Sequence, residues 1–281
     1  MKPLTPLRYP GGKSHLAPFF GELVRANGIS DGVYVEPYAG GAGVAVALVL
    51  GEYVDAAWIN DIDPAIWAFW KAVLDHNGEL CKLVARTPLT LKERARQKAT
   101  YRRGLAAGVL PLGFALFYLN RTNRSGILDG GVIGGQKQKG EWRIDARFNR
   151  EDLAERIQRI ARYRSRFHVA NQDAVVFLRC ILKRLPRRTL VYLDPPYYEK
   201  GKHLYANYYS DSDHRVVAQT VKSITTPWVV SYDDHAQTRR LYSGYKRRQY
   251  RLQYTASARR TGSEIMFFAP GLVVPRALPG V

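Results

Sequence analysis

Six short apolar runs divide the chain, each bounded by charged residues, glycine or proline. Branched and aromatic residues dominate these runs, which is typical of buried strands. Helix-like amphipathic stretches lie between several of them. Strands that alternate with helices predict a doubly wound α/β fold with a mostly parallel sheet. The predicted strands are 33–36, 56–60, 167–170, 190–193, 228–232 and 265–269, and the predicted helices include 43–50, 64–76, 150–163 and 214–223.

One interval, residues 77–148, interrupts this alternation because it contains no convincing buried strand. Its first part, 82–103, carries eight Lys and Arg residues, among them Arg94 and Arg96, against Glu93 alone. Its second part, 121–143, is rich in glycine and basic residues, which suits an exposed hairpin or a loop close to a ligand. A solvated helix face would also be charged, but a run so one-sided favours an insert that binds a polyanion.

The charge of the whole chain supports a polyanionic partner. Lys and Arg number 43 against 24 Asp and Glu, which gives a formal net charge of +19. A charge of this size indicates nucleic acid, with an anionic membrane surface as the weaker alternative. The two cysteines, Cys81 and Cys180, and the scattered histidines form no readable zinc site, so no metal is predicted. Without a signal peptide or a run long enough to span a bilayer, a soluble cytoplasmic protein without membrane attachment is expected.

The turn Asp-Pro-Pro-Tyr at 194–197 directly follows the fourth predicted strand. In an open α/β sheet, ligands bind at the carboxyl ends of the strands. The Asp194 carboxylate and the Pro195 carbonyl can accept hydrogen bonds from an exocyclic amino group, and the Tyr197 ring can stack on its base. Taken alone, the tetrapeptide fits an ordinary strand-ending turn equally well. Tyr198 is predicted to point away and pack.

A glycine-rich turn follows the first predicted strand and leads into a helix. Such a turn lets the backbone approach a ligand closely, and Glu36 and Gly40 are predicted to contact it. Asp61, after the second strand, is placed to accept both hydroxyls of a ribose. A dinucleotide site or a purely structural turn remains an alternative for this pattern alone.

Residues 8–14 end like a phosphate-binding P-loop, but Leu7 stands where that loop needs a glycine, which excludes an NTPase. Lys13, near a helix start, can instead neutralise a small carboxylate. Asp173 supplies a third acid after the third strand. A ligand with adenosine, a ribose and an amino-acid carboxylate fits S-adenosyl-L-methionine.

With these motifs in this order, the chain resembles the DNA adenine methylase (Dam-like) family of the alpha group. The resemblance covers nearly the whole chain. The segments that carry it are 8–13, 36–43, 60–63, 117–122, 147–149 and 194–197.

The resemblance implies a role for each matching residue. Tyr9 corresponds to an aromatic residue at the cofactor, Lys13 to a cofactor-binding lysine and Asp61 to the ribose-binding acid. Asp173 corresponds to the acid near the cofactor adenine, and Asp194 with Tyr197 to the catalytic turn. Many family members have glycine at the position of Ala42, so the resemblance does not determine the path of the loop there.

The resemblance also implies a Rossmann-like methyltransferase sheet with an antiparallel edge hairpin. Residues 1–76 and 149–281 would form the catalytic domain, and residues 77–148 an inserted, mainly helical target-recognition domain. The implied reaction is methyl transfer from S-adenosyl-L-methionine to adenine N6 at a specific site in double-stranded DNA, after the base flips out of the helix.

Residues that contact DNA are predicted in two loops. Asn120, Asn123 and Arg124 carry side chains suited to adenine and guanine edges, with Arg121 between them, although Asn and Ser there could simply close turns. In the second loop Arg259 and Arg260 are predicted to contact phosphate, although tyrosines alternating with basic residues also form edge hairpins.

Two other classes of function remain as alternatives: a methyltransferase for cytosine N4 or an RNA base, and a non-catalytic DNA-binding regulator on a methyltransferase scaffold. The Asp at the head of the turn favours adenine, by the resemblance. The recognition sequence, and whether a restriction endonuclease partner, a phage or a regulatory circuit is involved, stay open.

Overall fold

A seven-stranded sheet forms the centre of the protein. The computed structural model describes residues 4–8, 12–198, 209–254 and 260–276, without the side chains of 251–254 and 260–262. The strands lie in the order β3-β2-β1-β4-β5-β7-β6, and β7 runs antiparallel to both of its neighbours. Their bounds are β1 Val33–Glu36, β2 Ala56–Asn60, β3 Phe167–Ala170, β4 Thr189–Leu193, β5 Trp228–Asp233, β6 Lys246–Tyr254 and β7 Arg260–Phe268.

Helices connect the parallel strands, as the alternating sequence pattern predicts. The predicted α/β class, with a mostly parallel sheet and an antiparallel hairpin at one edge, is confirmed. The helices are α1 Ala17–Ala26, α2 Gly43–Leu50, α3 Pro64–Asp75, α4 Asn77–Arg86, α5 Leu91–Arg102, α6 Val109–Thr122, α7 Arg150–Ala161, α8 Ala174–Ile181, α9 Asp211–Ser223 and α10 Ala236–Leu241.

The central strands are continuous apolar runs because they are buried along their whole length. Every residue of β1, β4 and β5 is buried. Parallel strands covered on both faces need no polar face, so they show no alternation of apolar and polar residues. The short length of these runs, together with their branched residues, is what separates them from helices.

Residues 77–148 form helices α4 to α6 and a loop, and contain no strand. Helix α6 packs so closely against α3 that a Cβ at Gly113 would lie only 2.6 Å from the Ala68 carbonyl oxygen. The Phe69 and Phe117 rings stack at 5.8 Å across this contact. Residues of α6 belong to the same buried cluster as the sheet, so the predicted insert shares its core with the rest of the protein. The division into two domains stays a prediction.

Candidate active site

The carboxyl ends of β1, β2 and β4 surround a cavity of about 460 Å³. This volume is typical of sites for small ligands and cofactors. Its walls include residues 12–15, the glycine turn 39–43, the segment 61–63 after β2, and Asp194 with Pro196 after β4. Since β1 lies between β2 and β4, the cavity opens where the strand order reverses, the usual ligand position in open α/β sheets.

The turn between β1 and α2 follows its path because its residues are small. Gly40 and Ala42 both have positive φ, at 45° and 42°. The left-handed conformation costs an Ala about 1–2 kcal/mol, so Ala42, where many family members have glycine, adopts this turn at some cost in stability. A Cβ at Gly43 would collide with the Ser14 hydroxyl. The segment before α1 therefore lies directly on this turn.

Asp61 joins the end of β2 to the glycine turn. Its Oδ2 accepts from the Gly40 N–H at 2.9 Å and its Oδ1 from the Asp63 N–H at 3.0 Å. Burial raises the pKa of this carboxyl to about 6, although the two backbone N–H groups partly oppose the shift. Each oxygen can accept a further hydrogen bond from a ligand in the cavity.

Glu36, the last residue of β1, is buried with one oxygen unsatisfied. Among the described residues its Oε2 has no hydrogen-bond partner. Burial, and then the neighbouring Asp194 carboxylate, raise the pKa of Glu36 well above its usual range. A buried carboxyl oxygen without a donor is costly, so this position favours a ligand that brings a donor or a positive charge.

Asp194 presents its carboxylate to the cavity at the end of β4. Lys13 Nζ lies 2.9 Å from Oδ2, and the Ser231 hydroxyl donates to Oδ1 at 2.6 Å. Burial raises the pKa of Asp194; Lys13 opposes this shift and Glu264 adds to it. The side chain keeps 21% exposure, so a donor in the cavity can still reach it.

Lys13 lies in the cavity wall and is held there by contacts within the protein. Its ammonium group contacts Asp194 at 2.9 Å, the Tyr197 hydroxyl at 3.0 Å and Glu264 at 3.2 Å. These three partners match the three hydrogens of an ammonium group. These contacts are all within the protein, and the predicted contact of Lys13 with the carboxylate of the cofactor stays a prediction.

Tyr197 turns inward. The residue is 3% exposed, and its hydroxyl donates to Glu264 at 2.6 Å. The predicted stacking of this ring on the target base stays a prediction. Tyr38 and Tyr209 do line the cavity, with their hydroxyls 3.3 Å apart.

Tyr198 points away from Tyr197 and packs, as predicted. Its ring lies between those of His214 and His235, with centroids 4.7 Å away on each side. Its backbone N–H donates to Asp233 at 2.9 Å. Adjacent residues of the turn thus face in opposite directions.

Asp173 follows β3 and begins α8 at the rim of the cavity rather than in its wall. Its Oδ1 accepts from the N–H groups of Val175 and Val176, so it caps the helix. Burial raises the pKa of Tyr209, which lines the cavity, and the Asp173 charge raises it further. Its predicted contact with the cofactor adenine stays a prediction.

A family model described as D12 class N6 adenine-specific DNA methyltransferase matches residues 9–256. The match includes the cavity walls, the helices between β2 and β3, and the turn after β4. The chain belongs to this family. It is thus an S-adenosylmethionine-dependent enzyme of the class that methylates adenine N6 in DNA.

Two solved structures are similar to this methyltransferase. A candidate RNA methyltransferase from Pyrococcus horikoshii is 11% identical, with a TM-score of 0.43 over 94% of this chain and 86% of its own. A candidate class I S-adenosylmethionine-dependent methyltransferase from Listeria monocytogenes is 10% identical, with a TM-score of 0.41 over 94% of this chain and 62% of its own. No curated protein matches the chain.

Asn120 and Asn123 of the methyltransferase are buried hydrogen-bond hubs. Asn120 bonds both the N–H and the carbonyl of Arg8, and Asn123 donates to the carbonyls of Ile127 and Leu128. Their exposed fractions are 3% and 0%. The prediction that they read bases is corrected, because their amides close the loop instead.

Arg94 also holds this loop in place. Its guanidinium donates to the Asn123 side chain at 2.8 Å and to the Gly130 carbonyl at 2.9 Å. Arg94 thus joins α5 to the loop; it is half-buried, and its predicted phosphate contact stays a prediction. Arg96, by contrast, has a side chain that is 70% exposed, with Glu93 at 3.2 Å as its neighbour.

Arg121 and Arg124 also differ in exposure: Arg121 is buried and Arg124 is exposed. Arg121 is buried, donates to the Pro6 carbonyl and lines the cavity beside Arg8 and Arg156. Burial, and then these two neighbouring cations, lower its pKa to about 9. Arg124 is exposed at the loop tip and stays a predicted DNA contact.

Three predicted contacts fall on parts that the structure does not describe. Tyr9 and Arg259 lie outside the described residues, and Arg260 is described only as backbone of β7. In the described ranges no group of His, Cys, Asp or Glu side chains could hold a metal ion. The helices seen there are also too short or too polar to cross a membrane.

Two residues complete the network around Asp194 but were not predicted from the motifs: Ser231 on β5 and Glu264 on β7. Both are buried polar residues beside apolar runs: Ser231 follows the run 228–230, and Glu264 directly precedes the run 265–268. A carboxylate that is buried beside such a run requires a buried partner, and this was the available signal. The partner itself could not be read from the sequence.

Proposed function

We propose that the methyltransferase acts on adenine in duplex DNA, with the target amino group held by Asp194 and the Pro195 carbonyl. The observation that carries this assignment is the Asp194 carboxylate, which faces the cavity while Lys13 and Ser231 fix both of its oxygens. Each oxygen retains capacity for one more donor. The group is therefore oriented before the base arrives.

The chemistry expected of these residues is mainly positioning. The lone pair of the adenine amino nitrogen is delocalised into the ring, which makes the nitrogen a poor nucleophile. Acceptors on both of its hydrogens favour a tetrahedral nitrogen with a directed lone pair. When bound, S-adenosylmethionine supplies an electrophilic methyl group. Precise alignment of two reactants contributes up to about 7–11 kcal/mol.

The cofactor fits the wall formed by the ends of β1 and β2. We place the ribose hydroxyls at Asp61, whose two oxygens each retain an acceptor site, with Gly40 beside it. The unsatisfied Oε2 of Glu36 would accept the positively charged amino group of the methionine part. This contact would ionise Glu36 and remove the cost of its orphaned oxygen.

The target base must leave the duplex to reach Asp194. The carboxylate is 21% exposed and lies in a cavity, whereas adenine in a duplex is stacked and paired. Flipping a base costs a few kcal/mol, which contacts elsewhere on the DNA must offset. The basic surface of the chain is suited to supply them.

We assign one exposed stripe on α5 to contact with the phosphates of the DNA backbone. Lys92 and Arg96 are both exposed and lie one helical turn apart. We expect Lys92→Ala with Arg96→Ala to weaken binding of cognate and random duplexes equally and to flatten the dependence of log affinity on log salt by about one unit per lost contact. Binding of fluorescent duplexes at several salt concentrations measures this slope.

A matched control removes the same charge elsewhere. Arg179 on α8 and Lys183, two residues after α8 ends, are also exposed and lie four positions apart. Arg179→Ala with Lys183→Ala should leave the slope unchanged. Equal slopes for both double variants and the wild type would assign the α5 stripe to a solvated helix face.

Arg124 is the exposed side chain of the loop that best suits base reading. Arginine contacts guanine through two hydrogen bonds in the major groove, worth about 1–3 kcal/mol of discrimination. We expect Arg124→Ala to relax the preference at one position of the recognition site, measured by methylation of a randomised duplex library. Arg143→Ala, in the same basic loop, is the comparison. A uniform loss in all sequence contexts would instead assign Arg124 to phosphate contact.

Mapping of methylated bases tests the whole proposal. DNA from cells that express the protein should carry N6-methyladenine at one sequence context, and the Asp194→Asn variant should leave that context unmodified. Methylcytosine at N4, or methylation found in RNA alone, would replace adenine as the target. DNA binding without any methylation would indicate a non-catalytic regulator.

A further inference from the structure

Glu264 lies in the interior of the sheet, beneath the catalytic turn. It belongs to β7, is 0% exposed, and faces Asp233 on β5 and Tyr250 on β6 in the strand register. Among the described residues, Tyr197, Lys13 and Tyr250 direct hydrogens at its carboxylate. Tyr197 donates to Oε1 at 2.6 Å, Lys13 lies 3.2 Å from Oε2, and Tyr250 donates to Oε2 as well.

These contacts form one connected path to Asp194. Lys13 stands between the two carboxylates, 2.9 Å from Asp194 and 3.2 Å from Glu264. The Tyr197 hydroxyl accepts from Lys13 and donates to Glu264, so it closes a ring of three groups. A long lysine side chain has many rotamers, and a second anchor removes most of them.

We propose that Glu264 is a positioning residue for methyl transfer, which fixes Lys13 and through it the orientation of the Asp194 carboxylate. The proposal rests on the proposed role of Asp194. Glu264 itself lines no part of the cavity and touches neither base nor cofactor. Its effect reaches the reaction through Lys13.

The pH dependence of kcat distinguishes this positioning role from a merely structural one. The titratable groups around Asp194 are Lys13, Tyr34, Glu36, Tyr192, Tyr250 and Glu264. Burial raises the pKa of Asp194, Lys13 lowers it and Glu264 raises it. Removing the Glu264 charge leaves Lys13 paired with Asp194 alone, which lowers the Asp194 pKa. The acid limb of the kcat profile, where Asp194 becomes protonated, should then move to lower pH.

The test is Glu264→Gln, which keeps the shape of the side chain and removes its charge. We expect kcat at saturating cofactor to fall by about 10- to 100-fold, the loss that a displacement of about 1 Å produces. The acid limb of the kcat profile should move to lower pH. The affinity for S-adenosylmethionine, measured by calorimetry, should stay within about twofold of the wild-type value, far less than the tenfold change that about 1.4 kcal/mol of binding energy produces. Asp75→Asn is the control, because this carboxylate pairs with Lys71 in α3 and lies outside the cavity walls.

A second variant decides the matter if Glu264→Gln does not fold. Tyr197→Phe keeps both charges and removes the hydroxyl that links Lys13 to Glu264. We expect it to lower kcat, with the acid limb unmoved and cofactor affinity retained. Unchanged kcat in a folded Glu264→Gln variant, or in Tyr197→Phe when Glu264→Gln cannot be purified, would overturn the proposal.

Asp194→Asn separates this inference from the proposed function. If Asp194→Asn is inactive while Glu264→Gln has the wild-type rate and pH profile, the positioning role fails and the role of Asp194 stands. If Asp194→Asn methylates DNA at the wild-type rate, the proposed function of Asp194 fails first.

Discussion

Asp194→Ala should abolish methyl transfer and leave cofactor binding measurable. The carboxylate is the group that we assign to the target amine, and it faces the cavity from the end of β4. Loss of one preorganised group at the reacting atoms typically costs about 10²- to 10³-fold in kcat. Lys13 would keep Glu264 as a partner, so the variant should not be left with an unpaired buried cation. Transfer of a radiolabelled methyl group to DNA measures the loss.

The companion measurement for Asp194→Ala is calorimetric binding of S-adenosylmethionine, which should remain detectable because the ribose and amino-group contacts belong to other residues. Asp75→Ala is a suitable control, since this exposed carboxylate lies in α3 and pairs with Lys71. Normal turnover by Asp194→Ala would remove the assignment of the catalytic turn.

Asp61→Ala should act on cofactor binding first. Its carboxylate joins the glycine turn to the end of β2 and is proposed to accept the ribose hydroxyls. Hydrogen bonds to a charged group contribute about 1.5–3 kcal/mol each, so the affinity should fall by at least tenfold. Calorimetry on the variant measures the change, and unchanged affinity would show that the ribose binds elsewhere.

The same residue gives cofactor binding a pH dependence. Burial raises the Asp61 pKa to about 6, so in the free enzyme the carboxylate is largely protonated below that pH. Ribose donors favour the anion, and binding at low pH must therefore release a proton. The contribution of Asp61 to the affinity should be fully present above pH 7 and be lost as the pH drops below 6, with the observed heat depending on the ionisation enthalpy of the buffer. Asp61→Asn should remove this contribution and leave the proton release that belongs to Glu36.

The strands could be predicted because strands that are buried on both faces consist mainly of apolar residues. Strands β1, β4 and β5 are covered on both faces, so each appears as an unbroken apolar run between charged or proline-containing segments. The carboxyl ends of parallel strands meet at one edge of a sheet. The positions of Glu36, Asp61 and Asp194 around one cavity therefore followed from the strands themselves.

The pairing of side chains could not be predicted in the same way. Lys13 reaches Asp194 across 181 positions of sequence, and Asn120 reaches Arg8 across 112. A polar residue in a loop shows that it needs partners but not whether a base, a cofactor or the chain itself supplies them. Asn120 and Asn123 have the chemistry of base readers and serve as loop anchors. The basic run of α5 likewise combines Arg94, which the fold uses, with Arg96, which it leaves exposed.

The position of β7 has a consequence for the order in which the enzyme becomes competent. Strand β6 comes earlier in the chain, yet it reaches the sheet only through β7, which lies between β5 and β6. A growing chain on the ribosome can thus contain both cofactor-facing acids and the whole catalytic turn while Glu264 is still unmade. Until β7 is synthesised and docks, Lys13 has one carboxylate partner instead of two. Partial chains would therefore contain the catalytic turn and the cofactor-facing acids but lack Glu264, which fixes Lys13. Methylation would begin only after β7 has paired with the sheet.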